Sequence, residues 1–319
     1  MTGIIILNYN NYDDTINCIN SIELYNTYPI KYIIVDNNST NESVTKLSEY
    51  LMNNYAREKY QTVSNIDETK LELPYITLYK NKKNEGYASG NNIGLILAYQ
   101  DKDIKEVLIL NNDVIFTHDI IGKLVYDIYS LPNCAIVSPL LYKTGEEEID
   151  YNCARKNHTE WELILKYLFL FHNVCNFISK KDRNRLILLG KKEFGANPIQ
   201  IELPSGACFL IKKDLMYKIR GFDPNTFLYM EESILYKKIS ALALNNYLDP
   251  TVSCIHLGAS STKKATNSFI LKVGLNSTEY YLNNYCNLKL FQKIVFNCAK
   301  IFFLFKILIN RFSEKFKLL

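Results

Sequence analysis

The feature that most constrains this chain is the alternation of two kinds of segment through its first half. Short apolar, β-rich runs occur at "GIIIL" (3–7), "YIIV" (32–35), "YITLY" (75–79), "EVLIL" (106–110) and "CAIVS" (134–138). Runs of this kind bounded by turn-forming residues read as strands. Longer amphipathic stretches near 12–25, 41–55, 89–100 and 118–129 read as helices. Strands separated by helices predict an α/β, Rossmann-like fold with a mostly parallel central sheet flanked by helices. In such sheets ligands bind beyond the carboxyl ends of the strands, where the strand order switches. Those ends share a character here. The first run is followed by Asn8, Tyr9 and Asn10, the second by Asp36, Asn37, Asn38 and Ser39, the third by "NKKNEGYASGNN" (81–92) and the fourth by Asn111, Asn112 and Asp113. Asn and Asp end strands on their own account, because their side chains hydrogen-bond nearby backbone. Four polar ends in succession nevertheless predict one shared cleft.

Composition narrows the class. Of 319 residues, 48% are hydrophobic and 22% charged, as in a folded globular chain with a sizeable core. A formal net charge of +4 argues against nucleic acid as the principal partner. The eight cysteines form no CxxC pair, and nothing at the N-terminus resembles a signal sequence. They read as reduced core thiols of a cytoplasmic protein rather than as a zinc site. Abundant Asn and Tyr beside only 12 Gly suggest codon bias, so isolated Asn residues carry little weight.

The pattern breaks down between about 145 and 200, which reads as an inserted, partly helical segment with a helix over "WELILKYLFLF" (161–171). Its acidic run (146–148) and basic run "KKDRNR" (180–185) read as solvated surface. Order resumes at "IELPSGACFLIKKDL" (201–215), a turn, a strand and a helix start. Glu231 and Glu232 then open a helix whose inner face is expected to be Ile234, Leu235, Ile239 and Leu242. Acids in a first helical turn suit the macrodipole, which accounts for one of the two. Trp161, the only tryptophan, is expected in the core or as a sugar-stacking platform.

Seven stretches in order, "IIILNYN", "IIVDNNST", "NEGYASGNNIGL", "LILNNDV", "PSGACFLIKKDL", "GFDPNTFLYMEE" and "IHLGASST", resemble the inverting family-2 glycosyltransferases of GT-A fold, particularly their bacterial rhamnosyltransferase-like branch. The resemblance covers residues 3 to about 260 and implies a catalytic domain over 1–260, followed by a helical extension over 261–319. It implies that Asp36, with Asn8, Asn10 and Asn38, holds the base and ribose of a nucleotide-sugar donor, since a carboxylate accepts from ribose hydroxyls or an imide N–H. Glu85, Gly86, Asn91 and Asn112 are then expected near the donor sugar or phosphates. Gly86 and Gly90 are expected to let backbone approach the donor, and a helix beginning near Ser89 to point its N–H groups at the diphosphate.

The triplet 111–113 falls at the family's DXD motif, where carboxylates hold a divalent cation, Mn²⁺ or Mg²⁺, against the diphosphate. Asn111 replaces the first acid, leaving Asp113 as the charged ligand, and His256 falls where the family has a metal-binding histidine. Of the acidic pair, Glu232 corresponds to the base that deprotonates the acceptor, with Glu231 beside it. A carboxylate needs partial desolvation to serve as a base near neutral pH, and Phe227, Tyr229 and Met230 are expected to supply it. Ser205, Gly206 and Ala207 fall in the part that faces the acceptor.

The implied reaction moves a sugar from a nucleotide donor, UDP- or dTDP-linked by preference, with inversion, onto a hydroxyl of a bacterial surface glycan carried on lipid. A non-catalytic sugar-binding relative is the alternative, suggested by Asn111 and by Ile234, where many members carry another acid. A nucleotidyltransferase is disfavoured because "IIILNYNNYDD" has no Gly-rich phosphate loop. In the tail, 289–319, seven Lys and Arg accompany one acid, Glu314, among large apolar residues. No run reaches the roughly 20 apolar residues that span a bilayer. The tail is expected to lie on an anionic membrane, at the cytoplasmic face of the inner membrane, or to pack on its own domain or a second subunit as a homo-oligomer.

Overall fold

The computed structural model describes residues 1–68, 71–144, 148–168, 185–189, 195–258 and 267–316. Its strands are β1 (Thr2–Asn8), β2 (Ile30–Asp36), β3 (Tyr60–Val63), β4 (Ile76–Lys80), β5 (Glu106–Asn111), β6 (Val114–Phe116), β7 (Cys134–Tyr142), β8 (Ala154–Arg155), β9 (Ile199–Ile201), β10 (Leu203–Pro204), β11 (Cys208–Lys212) and β12 (Asn245–His256). The helices are α1 (Tyr12–Tyr25), α2 (Ser43–Asn54), α3 (Gly86–Gln100), α4 (Ile121–Ser130), α5 (Glu160–Leu168), α6 (Lys213–Lys218), α7 (Glu231–Ser240), α8 (Asn267–Tyr285) and α9 (Leu290–Phe316).

One large sheet runs β3-β4-β2-β1-β5-β11-β7-β12-β6, with β9 paired to β12. The half from β3 to β5 is parallel, while β11 enters antiparallel between β5 and β7. Helices on both faces explain why the central strands are continuous apolar runs rather than alternating ones. Ile4 and Ile6 enter the core cluster that holds α1, α2 and α4, while Ile5 points to the opposite cluster with α3. All three are fully buried.

The chain passes from β1 outward to β2 on one side and returns to place β5 on the other, so the order switches at β1. The register sets Asn8 beside Asp36 and Leu7 beside Asn111, which brings three of the polar strand ends into one row.

Several local expectations are corrected. The sequence of "LILNNDVIF" reads as one strand that stops, whereas β6 resumes after the Asn112–Asp113 turn and pairs with β12. Helix α3 starts at Gly86, three residues before Ser89. Leu242 lies past the end of α7 and is 36% exposed. Among the described residues five cysteines are buried, but Cys286 is partly exposed and Cys298 exposed, so these two are not core thiols; Cys175 lies outside the described residues. Trp161 is 39% exposed and tilts against Phe291 of α9, so it is not a core residue. Much of the inserted segment, including 169–184 and 190–194, lies outside the described residues, as do most of both charge runs and 259–262 of "IHLGASST".

A third apolar cluster joins Leu163, Ile164 and Tyr167 of α5 to Ile234, to Leu275 and Leu282 of α8, and to α9. The α9 contribution is Phe296, Ala299, Phe303 and Ile307, a helical seam of one face. The tail therefore packs on its own chain. Its other face leaves Phe302, Phe305 and Ile309 exposed at 52, 61 and 67%. No helix among the described residues is long and apolar enough to cross a membrane.

Candidate active site

The strand ends of β1, β2 and β5 are stitched together by amides. Asn8 is fully buried and donates to Asp36 Oδ2 at 2.7 Å and to the Ser39 hydroxyl at 3.3 Å, while its carbonyl accepts from Thr15 at 2.8 Å. Asp36 also accepts from the Ser39 backbone N–H on Oδ1 (2.9 Å) and from the Ser39 hydroxyl on Oδ2 (2.6 Å). This is an Asx-type turn, and it leaves a lone pair on Oδ1 unused by these bonds. Asn10, in left-handed backbone (φ 55°), accepts from the Thr40 and Asn41 N–H groups at 2.7 and 3.3 Å. Asn112 donates to the Asn11 carbonyl and the Thr15 hydroxyl, both at 3.0 Å. Asn38 (φ 61°) is exposed at the tip of the turn.

The glycines of "NEGYASGNN" serve packing. A Cβ on Gly86 (φ +93°) would lie 2.0 Å from the Phe227 carbonyl oxygen, and one on Gly90 would lie 2.5 Å from Leu7. Their missing side chains make room for protein. The first two N–H groups of α3 are taken, Gly86 donating to Asn84 Oδ1 at 3.0 Å and Tyr87 to the Phe227 carbonyl at 2.9 Å. Asn91 is buried and donates to the Tyr87 carbonyl within the helix, and Glu85 is an exposed partner of Lys83.

Antiparallel pairing of β6 with β12 sets Val114 opposite His256 and so brings Asp113 beside the imidazole. His256 Nε2 is 3.5 Å from Asp113 Oδ1, and Nδ1 is 3.4 Å from Asp150 Oδ2. Burial opposes charge on the ring, yet the two carboxylates outweigh it and push the imidazole up to about 9. Burial likewise opposes ionisation of Asp150, but hydrogen bonds from His256 and Asn152 hold it below the usual carboxylate range. Among the described residues no group of three or more His, Cys, Asp or Glu side chains is arranged to hold a metal ion. The geometry explains this: Asp113 and Asp150 face opposite nitrogens of one ring and cannot share an ion. Asp113 and Asp150 thus hold the imidazole from its two sides.

The acidic pair is aimed by strain. Tyr229 (φ 74°) and Met230 (φ 71°) are consecutive left-handed residues before α7, each costing about 1–3 kcal/mol. Successive positions on the new helix point roughly 100° apart. Glu231 turns inward and is 6% exposed, with no hydrogen-bond partner for Oε1 among the described residues. Burial first, then the neighbouring Glu232 charge, pushes its carboxyl up to about 8. Glu232 instead accepts from the Gly206 N–H at 3.2 Å and lies 3.5 Å from the Arg155 guanidinium. The Tyr87 hydroxyl donates to the Gly206 carbonyl at 2.7 Å, and a Cβ at 206 would lie 3.1 Å from both Tyr87 Oη and Glu232 Oε1. Ala207 is buried, and its carbonyl accepts from the Asn111 N–H.

A cavity of about 710 Å³ opens here, with Glu232, Ser205, His256 and Asp150 at the sheet end. Of the expected desolvating residues, Tyr229 and Met230 line it, whereas Phe227 packs on Phe269. Lys306 of the basic tail also lines it, as do Arg155, His158 and Lys166, which with Asp150 did not stand out in the sequence. No local motif marks them. They meet only because β8 pairs with β10 and because α5 and α9 pack together.

The sequence profile described as "Glycosyl transferase family 2" matches residues 3–220. The chain belongs to glycosyltransferase family 2. The matched region contains every polar strand end, from Asn8 to Asp113, and the 205–207 loop. Glu231, Glu232 and His256 lie beyond it, so their convergence with that region is supplied by the fold. No curated protein sequence matches significantly.

Solved structures of similar fold include GalNAc-T7 with UDP, GalNAc and Mn²⁺, at 14% identity and a TM-score of 0.57, covering 89% of this chain and 48% of that one. This family-2 chain thus spans about half the length of GalNAc-T7. The mannosyltransferase PcManGT of Pyrobaculum calidifontis, in complex with GDP-Man and Mn²⁺, aligns at 13% identity and TM-score 0.53, covering 95% and 69% of the two chains. Staphylococcus aureus TarS aligns at 10% identity and TM-score 0.51 over 92% and 42%. At these identities the likeness establishes the GT-A type of fold.

Proposed function

We propose that this family-2 chain transfers a sugar from a nucleotide-sugar donor, with inversion, to a hydroxyl of a bacterial surface glycan. One observation carries the reading: Glu232 and His256 line a single cavity, and the far side of the His256 ring faces Asp113 across 3.5 Å. A proton acceptor and the seat for a diphosphate-bound cation thereby flank one space.

In this reading the nucleotide lies over the ends of β1 and β2, where Asp36 retains acceptor capacity and Asn8, Asn10 and Asn38 shape the rim. Asp113 and His256 suit Mn²⁺, an ion that takes carboxylate oxygen and tolerates imidazole, with the remaining positions left to the diphosphate and water. Such a cation, when bound, neutralises charge on the departing nucleoside diphosphate. Asp150 holds the imidazole in place. The Gly206 N–H and Arg155 fix the Glu232 carboxylate, which takes the acceptor hydroxyl proton as that oxygen bonds to the anomeric carbon from the face opposite the leaving group. Attack from that face inverts the anomeric centre. Glu231 does not line the cavity and supports the loop instead. The exposed apolar face of α9 suits peripheral contact with a membrane surface.

Two measurements test this. Thermal stabilisation by UDP, GDP, dTDP or CMP with Mn²⁺ identifies the nucleotide, since a ligand that binds only the folded state raises its melting point. Glu232→Gln is then expected to keep that stabilisation while lowering transfer by about 100-fold or more. Unchanged turnover removes Glu232 from the reaction, and no stabilisation by any nucleotide removes the donor.

A further inference from the structure

Tyr229 sits where its backbone suits it least. Its φ of 74° lies in the left-handed region, which Gly and Asn enter easily and a bulky side chain enters only under constraint. An aromatic ring held there against that preference points to a use for the ring. The ring is not spent on the core: Tyr229 is 39% exposed and lines the same cavity as Glu232, three residues further on. Its place is set from α8, where the Ser277 hydroxyl donates to the Leu228 carbonyl at 2.8 Å and the ring edge comes within 3.6 Å of the point a Cβ on Gly274 would occupy.

Gly274 is the second observation. It lies in the interior of α8, where glycine weakens a helix relative to alanine. The surrounding protein does not require it. A Cβ there would meet the Tyr229 ring at 3.6 and 3.9 Å and the Tyr167 hydroxyl at 3.8 Å, ordinary van der Waals distances, whereas Gly86 and Gly90 have no such room. Gly274 itself lines the cavity, so its missing side chain leaves open space beside the ring. Ile270 and Leu271, one turn earlier on α8, continue this wall as an apolar surface.

Polar groups complete the same lining: Ser205, Arg155 and Glu232. Ser205 Oγ accepts from the Ala207 N–H at 3.2 Å, which leaves its own proton to donate. An exposed aromatic ring and aliphatic side chains beside hydroxyl, guanidinium and carboxylate groups match a ligand that is apolar on one face and hydroxylated around its edge. That is the chemistry of a pyranose ring. Asp36 does not line this cavity, so the berth lies apart from the row where the nucleotide is placed.

We propose that Tyr229 and Gly274 form the berth of the acceptor's sugar: the C–H face of a pyranose stacks on the Tyr229 ring over the floor left open by Gly274, with its hydroxyl edge turned to Ser205 and Glu232. This rests on the reading of Glu232 as the base for the acceptor, and it names the residues that select a sugar ring over other hydroxyl compounds. Ring and base belong to one turn, so seating the sugar brings a ring hydroxyl to the base.

The test uses the full chain and saturation-transfer NMR titrations with methyl β-D-glucopyranoside, methyl β-D-galactopyranoside and the acyclic polyol mannitol, beside calorimetric titration of UDP, GDP, dTDP and CMP with Mn²⁺. At least one glycoside is expected to bind more tightly than mannitol, with the strongest saturation on its ring C–H protons. Tyr229→Asn removes the ring and suits left-handed backbone, and Gly274→Leu fills the floor and suits a helix, so both are expected to stay folded, which their melting curves check. Each is expected to weaken glycoside binding by about tenfold or more while leaving nucleotide affinity unchanged. No glycoside binding to the wild type, mannitol binding as tightly as the glycosides, or a folded variant of either kind that keeps wild-type glycoside affinity overturns the proposal. Loss of nucleotide affinity in Tyr229→Asn assigns the ring to the donor and overturns it as well. Failure of every nucleotide to bind beside Tyr229-dependent glycoside binding refutes the glycosyltransferase reading, not this berth.

Discussion

Glu231→Gln separates the two adjacent acids by stability rather than by rate. In the folded chain the Glu231 carboxyl is 6% exposed and is pushed up from 4.5 to about 8. The native state therefore keeps a proton between pH 4.5 and 8 that the unfolded chain releases. Because the native state binds more protons in that window, stability is complete below pH 4.5 and is lost as pH rises toward 8. A shift of about 3.5 units at about 1.4 kcal/mol per unit gives a loss of about 5 kcal/mol. Glutamine matches the protonated acid in shape and has nothing to ionise. Wild type and Glu231→Gln are expected to melt within about 1 °C of each other at pH 5, and at pH 9 the variant is expected to melt higher by roughly 10 °C. The measurement is the pair of melting curves at each pH, compared as a double difference. Parallel profiles, or a wild type that gains on the variant in alkali, would show that the carboxylate is solvated or paired, and the burial argument would fail. The same argument bears on the reaction: an acid that is protonated at pH 7 cannot accept the acceptor's proton, so Glu231→Gln should retain most transfer where Glu232→Gln does not.

Other outcomes follow from the geometry. Asp113→Ala removes the charged half of the cation seat, and Mn²⁺ is then expected to add nothing to nucleotide affinity; equal enhancement in the variant would place the ion elsewhere. Asp150→Asn leaves both ligands but weakens the hold on the far side of the His256 ring, so the Mn²⁺ concentration for half-maximal activity should rise about 10-fold or more at unchanged saturating rate. An unaltered requirement would reduce Asp150 to a structural partner. Gly86→Ala places a Cβ 2.0 Å from the Phe227 carbonyl in left-handed backbone, and a loss of at least about 2 kcal/mol is expected by denaturant unfolding. A neutral result would mean that the 227–230 loop yields easily and does not aim Glu232.

The parallel sheet was legible because its strands are buried on both faces and separated by helices, so hydropathy alone marks Ile4 to Ile6 and Ile33 to Val35. Strand order switches at β1 as the alternation implies, which is why the polar ends of β1, β2 and β5 could be named beforehand. What escaped the sequence depends on pairing between distant segments. Short strands such as β3 and β6 carry too few residues to show a period. The roles of Asp150, Arg155 and His158 arise where β8 meets β10, in a stretch with no periodicity, so nothing local distinguishes them from surface polar residues.

The glycines of α3 and the pair at 231–232 show how composition can point to the right place for a different reason. Gly86 and Gly90 do mark an unusually close approach, but the partner is the Phe227 backbone and the Leu7 side chain. That approach has a consequence at the chemistry. Docking of α3 against the Phe227 carbonyl fixes the start of a loop whose next turns, at Tyr229 and Met230, are left-handed and intrinsically unfavourable. A strained turn persists only where its neighbours over-determine it, and here the determinants are the Tyr87 N–H on Phe227, the Ser277 hydroxyl on the Leu228 carbonyl at 2.8 Å, and Ile234 buried among α5, α8 and α9. Helix α3 and the C-terminal helices thus hold opposite ends of the segment that decides which acid faces the cavity. Moving the helix start by one residue would rotate the pair by about 100° and exchange a solvated base for a buried, protonated one.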